Sequence, residues 1–193
     1  MEAWIEVNLV TRRPLSPDLL VDVVGPLVHG ELEGEIETWF YFWEPDLRLR
    51  IRWRDPGRVG DNRRRLATAL DRAKKERRVR GWYEGAHGEQ GKAYVGEAEH
   101  YGDEVWPRIQ KDWMNGSELA LLLAVLEREG RLTRARDYHW QRHVHLFTNQ
   151  LFGSWEDEIE LCLRQALGYI RLSGGASTEA KRLVSELNEL SGR

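Results

Sequence analysis

The chain contains a single cysteine, Cys162, among 193 residues. One thiol cannot form an intramolecular disulfide, and such sparse use of cysteine is typical of a reducing compartment. The chain also lacks a secretory segment and any run of about 18 apolar residues, so we expect no membrane span and a cytoplasmic location. Its net charge of −3 and pI of about 6.1 disfavour general nucleic-acid binding, because such proteins are usually basic or carry a segregated basic tract.

Metal-binding patterns are also scarce in the sequence. His139 and His143 are spaced i, i+4, which places both on one face of a predicted helix and could bind a metal. No third ligand follows at a matching spacing, and Cys162 lies on the apolar face of a different predicted helix. We therefore expect neither a metal nor a cofactor.

The chain does contain a regular alternation of arginine with apolar residues. Residues 46–54 read D-L-R-L-R-I-R-W-R. Side chains of a β-strand point alternately to opposite faces, so this segment predicts a strand with one apolar face and one face of guanidinium groups, from Arg48, Arg50, Arg52 and Arg54. Guanidinium groups are planar and permanently charged, and this geometry favours the binding of a carboxylate or phosphate. A solvated face paired with local glutamates remains the alternative.

The wider pattern predicts strands in the first half and helices in the second. Residues 38–43 have almost no polar side chain, which predicts burial on both faces or a central place in the sheet. Strands are predicted over 3–11, 38–43, 46–54, 79–84 and 92–99. Helices are predicted from about residue 17, from a cap at Asp61 to about residue 77, and over 103–113, 117–129 (capped by Ser117), 134–152, 155–171 and 178–190.

This order of elements predicts the fold class. We expect a single α+β domain over residues 1–172, with an antiparallel sheet formed mainly by the N-terminal half and packed by helices, and a helical C-terminal half. Residues 173–193 are expected to form a glycine-containing hinge and a C-terminal helix.

Two further groups of residues could carry chemistry. Glu97 and Glu99 alternate on the last predicted strand, and Tyr101 continues that face. Paired carboxylates near arginines could orient them or act as base and acid, although a salt-bridged strand end is the structural alternative. His145 and Asn149 are spaced i, i+4 on a predicted helix, so an amide could hold an imidazole that transfers protons near neutral pH. A histidine that is merely exposed or satisfied is the alternative there.

Four motifs, in this order, resemble those of a known family. E-P-D-L-R-L-R at 44–50 resembles the D/E-P-x-x-H-L-R-L-R strand of the C-terminal elimination domain of class I lantibiotic dehydratases and of related thiopeptide-type biosynthesis domains. G-E-A-E-H-Y-G at 96–102 resembles the family's P-E-x-E-R-Y-G-G. N-G-S-E-L-A-L at 115–121 resembles its D-S-x-L-x-L helix start, and H-L-F-T-N-Q-L at 145–151 resembles its H-M-x-x-N-R-L. The resemblance spans about residues 4–172. The chain departs from the family pattern at Asp46, His100, Asp103 and Gln150.

The resemblance implies the modification of a ribosomally synthesised precursor peptide, by β-elimination of glutamate from glutamylated Ser or Thr to give dehydroamino acids. Arg48 and Arg50 would grip the anionic group, His145 would transfer the proton, and Glu97 would orient these groups. The residues expected to bind substrate are Arg52, Glu99, Tyr101 and Asn149, the last as a support for His145. No cofactor is implied.

The resemblance also implies partners and leaves alternatives open. The partners would be the leader and core of the precursor peptide and a separate glutamylating or other biosynthetic enzyme, because the chain lacks the family's large glutamylating portion. A homodimer is left open. One alternative activity is a thiopeptide-type cyclase that joins two dehydroalanines into a six-membered nitrogen ring. Another is a non-catalytic partner that binds a precursor peptide or an enzyme, with an acidic leader on the arginine face.

Overall fold

The computed structural model describes residues 3–11, 17–43 and 46–136, together with positions 138, 139, 142, 182 and 185. By its internal contacts the chain divides into two compact units, Met1–Arg136 and Asp137–Arg193, and the first is described almost throughout. The helices predicted beyond residue 136, the predicted hinge, the boundary near residue 172, His145 and Asn149 lie outside the described residues.

The first unit is built on an antiparallel sheet. Its four strands are β1 (Trp4–Val10), β2 (Ile36–Trp43), β3 (Leu47–Trp53) and β4 (Gly81–Glu84). Their order is β2-β3-β1-β4, and all neighbours are antiparallel. The arginine strand β3 is therefore central, between β1 and β2. Helices pack on this sheet, so the predicted α+β class is confirmed.

One face of the sheet is apolar, as the alternation in β3 predicted. Leu47, Leu49, Ile51 and Trp53 are fully buried there beside the apolar residues of β1. Each such side chain stabilises the fold by about 2 kcal/mol through burial of apolar surface.

Two helical segments form the other layer of this core. The first, α1, covers residues 17–31, with an α-helical turn at Pro17–Leu19 and π-helical turns at Leu20–Val24 and Leu27–Glu31. The second, α2, is Val59–Lys75, and it buries Leu66, Ala69, Leu70 and Ala73 at the spacing of one helix face. Asp61 lies inside the first turn of α2, so the predicted cap is wrong; the helix begins after a 3₁₀ turn at Pro56–Arg58.

The opposite face is covered by a one-turn helix, α3 (Ala98–Tyr101), and by the long helix α4 (Trp106–Arg128).

The strand predicted over 92–99 is wrong. Residues 92–96 are irregular, and Gly96 takes a φ of 87° beside the indoles of Trp4 and Trp106, a backbone conformation that a strand does not have. Of the helices in the described part of the chain, none has both the length and the apolar character needed to cross a bilayer.

Helix α4 replaces the two separate helices predicted over 103–113 and 117–129, and Ser117 lies in its middle. The helix follows the open edge of β2. The backbone N–H of Tyr41 donates to Ser117 Oγ at 3.2 Å, and the indole N–H of Trp39 donates to Glu118 Oε1 at 2.9 Å. Strand β2 is thus an edge strand that a helix covers, and this explains its apolar sequence without the central place that was the other expectation.

Replacing Ser117 tests this covered edge. Ser117→Ala removes the acceptor of a partly buried backbone N–H, so we expect the free energy of unfolding to fall by about 1–2 kcal/mol. Asn115→Ala, an exposed position of the same helix, should change it by less than about 0.5 kcal/mol. Urea unfolding measures both. Equal stability of the two variants would show that the edge does not depend on this contact.

Candidate functional site

The centre of the arginine face is the buried guanidinium of Arg50, which is 3% exposed. Its Nε donates to Glu6 Oε2 at 2.6 Å, and its Nη1 donates to Glu97 Oε1 at 2.5 Å. Strand pairing places Glu6 of β1 opposite Arg50, whereas Glu97 precedes α3. One guanidinium therefore joins the sheet to the segment that leads into α3.

Aromatic rings enclose the rest of this guanidinium. The central carbon of Arg50 lies 4.4 Å from the ring centroid of Tyr94, 4.9 Å from that of Phe42 and 5.8 Å from that of Phe40. These distances are typical of cation–π contacts, which strengthen when water is excluded. Phe40 belongs to an aromatic cluster with Trp4 and Trp106.

Tyr94 adds a neutral hydrogen-bond donor to the cluster. Its hydroxyl donates to Glu97 Oε1 at 3.5 Å. Burial raises the pKa of the Tyr94 phenol well above its usual value, and the nearby Arg50 guanidinium opposes this only in part. The phenol therefore keeps its proton at physiological pH.

The loop that follows β4 lies over the same face. Asn8 Nδ2 donates to the carbonyl of Gly85 at 2.7 Å, and the backbone N–H of Gly88 donates to Glu6 Oε1 at 3.4 Å. A Cβ at Gly85 would lie 2.1 Å from the carbonyl oxygen of Glu89, so only glycine fits there. The loop thus has a fixed path beside Arg50, and it carries His87, whose Nδ1 lies 3.5 Å from Arg50 Nη2.

The structure brings some of the predicted site residues together. Arg50 and Glu97 are in direct contact, and Arg48 lies on the same strand face with its guanidinium under Gly88. Arg52 shares this face and pairs with Glu37 at 3.3 Å, with both side chains well exposed.

Two other predicted residues are arranged differently. Glu99 and Tyr101 lie on α3 and are exposed, because the segment is a helical turn, so the predicted alternation of Glu97, Glu99 and Tyr101 along a strand is wrong. Tyr101 instead stacks on Trp106, with ring centroids 5.8 Å apart and an interplanar angle of 6°. The roles predicted for these residues stay predictions.

Sequence reasoning missed three members of the cluster: Glu6, His87 and Tyr94. A signal for Glu6 was present, since Ile5, Val7 and Leu9 define the apolar face of β1 and Glu6 must point to the other. No local signal marked His87 or Tyr94, because a turn-rich loop and an irregular segment bring them to the sheet.

Comparison with known proteins identifies the family. The family described as lantibiotic biosynthesis dehydratase C-term matches residues 4–183, and the chain belongs to this family. Among solved structures, the chain is similar to the tRNA-dependent lantibiotic dehydratase MibB from Microbispora sp. 107891, with a TM-score of 0.53 and 24% identity. The match covers 69% of this chain and 12% of that one, and this likeness shows a shared fold. Among curated proteins, none matches the sequence.

The buried ion pairs make a prediction about stability. Arg50→Met would leave Glu6, which is 1% exposed, without its charged partner, so the free energy of unfolding should fall by about 3–5 kcal/mol. Adding Glu6→Gln should recover part of this loss, because a neutral amide is cheaper to bury than an unpaired carboxylate. Urea unfolding of the double-mutant cycle is the measurement.

Arg52→Met is the matched control on the same strand face. Its ion pair with Glu37 is well exposed, so the change should stay below about 1 kcal/mol. If Arg50→Met were no more destabilising than Arg52→Met, the pairing of Arg50 would not hold the fold together.

Proposed function

We propose that the chain modifies a ribosomally synthesised precursor peptide by β-elimination of glutamate from glutamylated Ser or Thr residues. Membership of the dehydratase C-terminal family over residues 4–183 supports this proposal. The observation that carries it in the structure is the contact between Arg50 and Glu97 on the arginine face, beside Arg48. Arg50 and Glu97 come from two separate sequence motifs, and the contact between them is an observation independent of the family match.

The elimination needs a base and positive charge. The base removes the α-proton, the C–H electron pair becomes the Cα=Cβ bond, and the Cβ–O bond breaks to release glutamate as a carboxylate. The product is dehydroalanine from Ser and dehydrobutyrine from Thr. Fixed guanidinium groups stabilise both the enolate charge and the leaving carboxylate better than water does. In this proposal His145 transfers the proton and Asn149 supports it.

The geometry changes the role that the sequence suggested for Arg50. Its three donor nitrogens face Glu6, Glu97 and His87, and its side chain is almost fully buried. A guanidinium enclosed in this way offers little access to a substrate carboxylate. We therefore assign Arg50 to positioning Glu97, and we assign the anionic group of the substrate to the partly exposed Arg48, with Arg52 further along the strand.

A glutamylated precursor peptide, supplied ready-made, tests the proposal. His145→Ala should slow glutamate release by about 100-fold or more, because a positioned acid–base group contributes about 10²–10⁴-fold. Arg48→Gln should slow it by about 10–100-fold through loss of charge stabilisation. Mass spectrometry of the peptide follows the loss of glutamate.

The control is Arg63→Gln, on α2 and on the other side of the sheet, which should retain the parent rate. Release at the parent rate in both His145→Ala and Arg48→Gln would exclude this mechanism. Turnover only of an already dehydrated peptide would indicate the thiopeptide-type cyclase instead.

One observation favours a second candidate, a non-catalytic partner that binds the precursor peptide or a companion enzyme. Arg52 lies on the same strand face, and its ion pair with Glu37 is well exposed, so an acidic peptide could replace Glu37 without any reaction. The more exposed arginines, Arg48 and Arg52, would then bind an acidic leader segment.

This candidate predicts salt-dependent binding that does not need the imidazole. A labelled precursor peptide should bind His145→Ala as tightly as the parent, while Arg52→Ala should bind more weakly. Raising the salt concentration from low to high should weaken binding by about 10-fold or more, because exposed charge pairs are screened. Fluorescence anisotropy measures the Kd. A Kd that changes neither with salt nor in Arg52→Ala would exclude an electrostatic binding site for the leader.

A further inference from the structure

We propose that His87 is an anion-binding hydrogen-bond donor of the site, which recognises a carboxylate of the glutamyl group. This inference rests on the proposed elimination, since that reaction supplies the carboxylate. It assigns a role to a residue of the loop after β4 that the sequence motifs do not include.

His87 is held in a backbone conformation that its side chain does not favour. Its φ of 54° and ψ of 29° are left-handed, within a 3₁₀ turn at Ala86–Gly88. Glycine adopts this region without a steric penalty, whereas other residues do so at a cost. Strain of this kind persists where the surrounding structure fixes it, and it occurs often at functional sites. A histidine in place of glycine therefore suggests that the imidazole is needed.

The contact with Arg50 favours one tautomer of His87. Nδ1 of His87 lies 3.5 Å from Arg50 Nη2. A guanidinium has donors and no acceptor, so a hydrogen bond between the two groups has Nδ1 as its acceptor. An imidazole that accepts at Nδ1 carries its N–H at Nε2. In this tautomer it has no second acceptor nitrogen, so His87 is a donor and leaves proton abstraction to another group.

The surroundings of the loop fit an anion of the carboxylate class. The His87 side chain is exposed, and the neighbouring residue Gly88 packs over the Arg48 guanidinium, with 3.4 Å between an ideal Cβ and Nη2. Glu6 and Glu97 are turned toward Arg50, and Glu89 pairs with Lys92 at 3.0 Å. A carboxylate beside His87 would face the Nε2–H of the imidazole, with the Arg48 guanidinium nearby.

His87→Gly separates an effect on glutamate binding from an effect on stability. Glycine removes the imidazole, and it also relieves the strain of the left-handed backbone conformation. The probe is free L-glutamate, with binding measured by calorimetry. We expect the variant to bind glutamate at least about 10-fold more weakly than the parent, with an unfolding midpoint that is not lower. His87→Asn, which tolerates this backbone conformation and keeps an N–H donor, should recover part of the affinity.

Arg77→Gly is the matched control. Arg77 has a φ of 62° and follows α2, on the other side of the sheet. This variant relieves the same kind of strain and should bind glutamate like the parent. Nitrogen-15 NMR of the parent should show His87 protonated on Nε2 and perturbed by glutamate.

Three results would overturn the inference: equal glutamate binding by His87→Gly and the parent, a proton on Nδ1, or no binding by the parent at about 10 mM glutamate. Its failure is distinct from that of the proposed function. If the parent binds glutamate through His87 yet releases none from a glutamylated peptide, the reaction fails and the site stands. If the parent releases glutamate and His87→Gly does so equally well, only the role of His87 fails.

Discussion

The structure of the first unit depends on the pairing of one buried arginine with two carboxylates. Arg50 lies on one of the two interior strands of the sheet, and its buried charge is tolerated only when it is paired and hydrogen-bonded. Glu6 supplies one partner through strand pairing, and Glu97 supplies the other from a segment 47 residues further along the chain. Since Glu97 directly precedes α3, this contact ties the start of that helix to strand β3. The aromatic rings of Tyr94 and Phe42 then exclude water from the pair.

The alternation of arginine and apolar residues predicted more of the fold than any other pattern. It defined β3 and both of its faces correctly, because the period of a strand is local and needs no knowledge of the neighbours. The partners of Arg50 could not be predicted in the same way. The sequence places Glu6 on the polar face of β1, but only the long-range pairing of β1 with β3 brings it to Arg50.

The failures of prediction have equally specific causes. Glu97 and Glu99 alternate like strand residues, yet Gly96 adopts a positive φ and a helical turn follows. Ser117 looked like a helix cap because serine is favoured there, but its hydroxyl accepts the N–H of an edge strand in the middle of α4. In both cases a tertiary contact overrode a local preference. His145 and Asn149, predicted as the proton-transfer pair, lie outside the described residues, so the imidazole part of the site still rests on sequence.

The exposure of each ion pair decides which arginines can serve a ligand. Breaking the buried pairs of Arg50 would cost about 3–5 kcal/mol, because it leaves buried charges without a partner. Arg52, by contrast, pairs with Glu37 where both side chains are well exposed, and such pairs contribute about 0–1 kcal/mol. An incoming carboxylate can replace Glu37 at little cost, whereas it cannot replace Glu6 or Glu97. On the same strand face, the ion pairs of Arg50 are therefore structural, whereas the exposed ion pair of Arg52 can give way to a ligand. Both proposed functions use the exposed arginines of this face for the anionic group of the peptide.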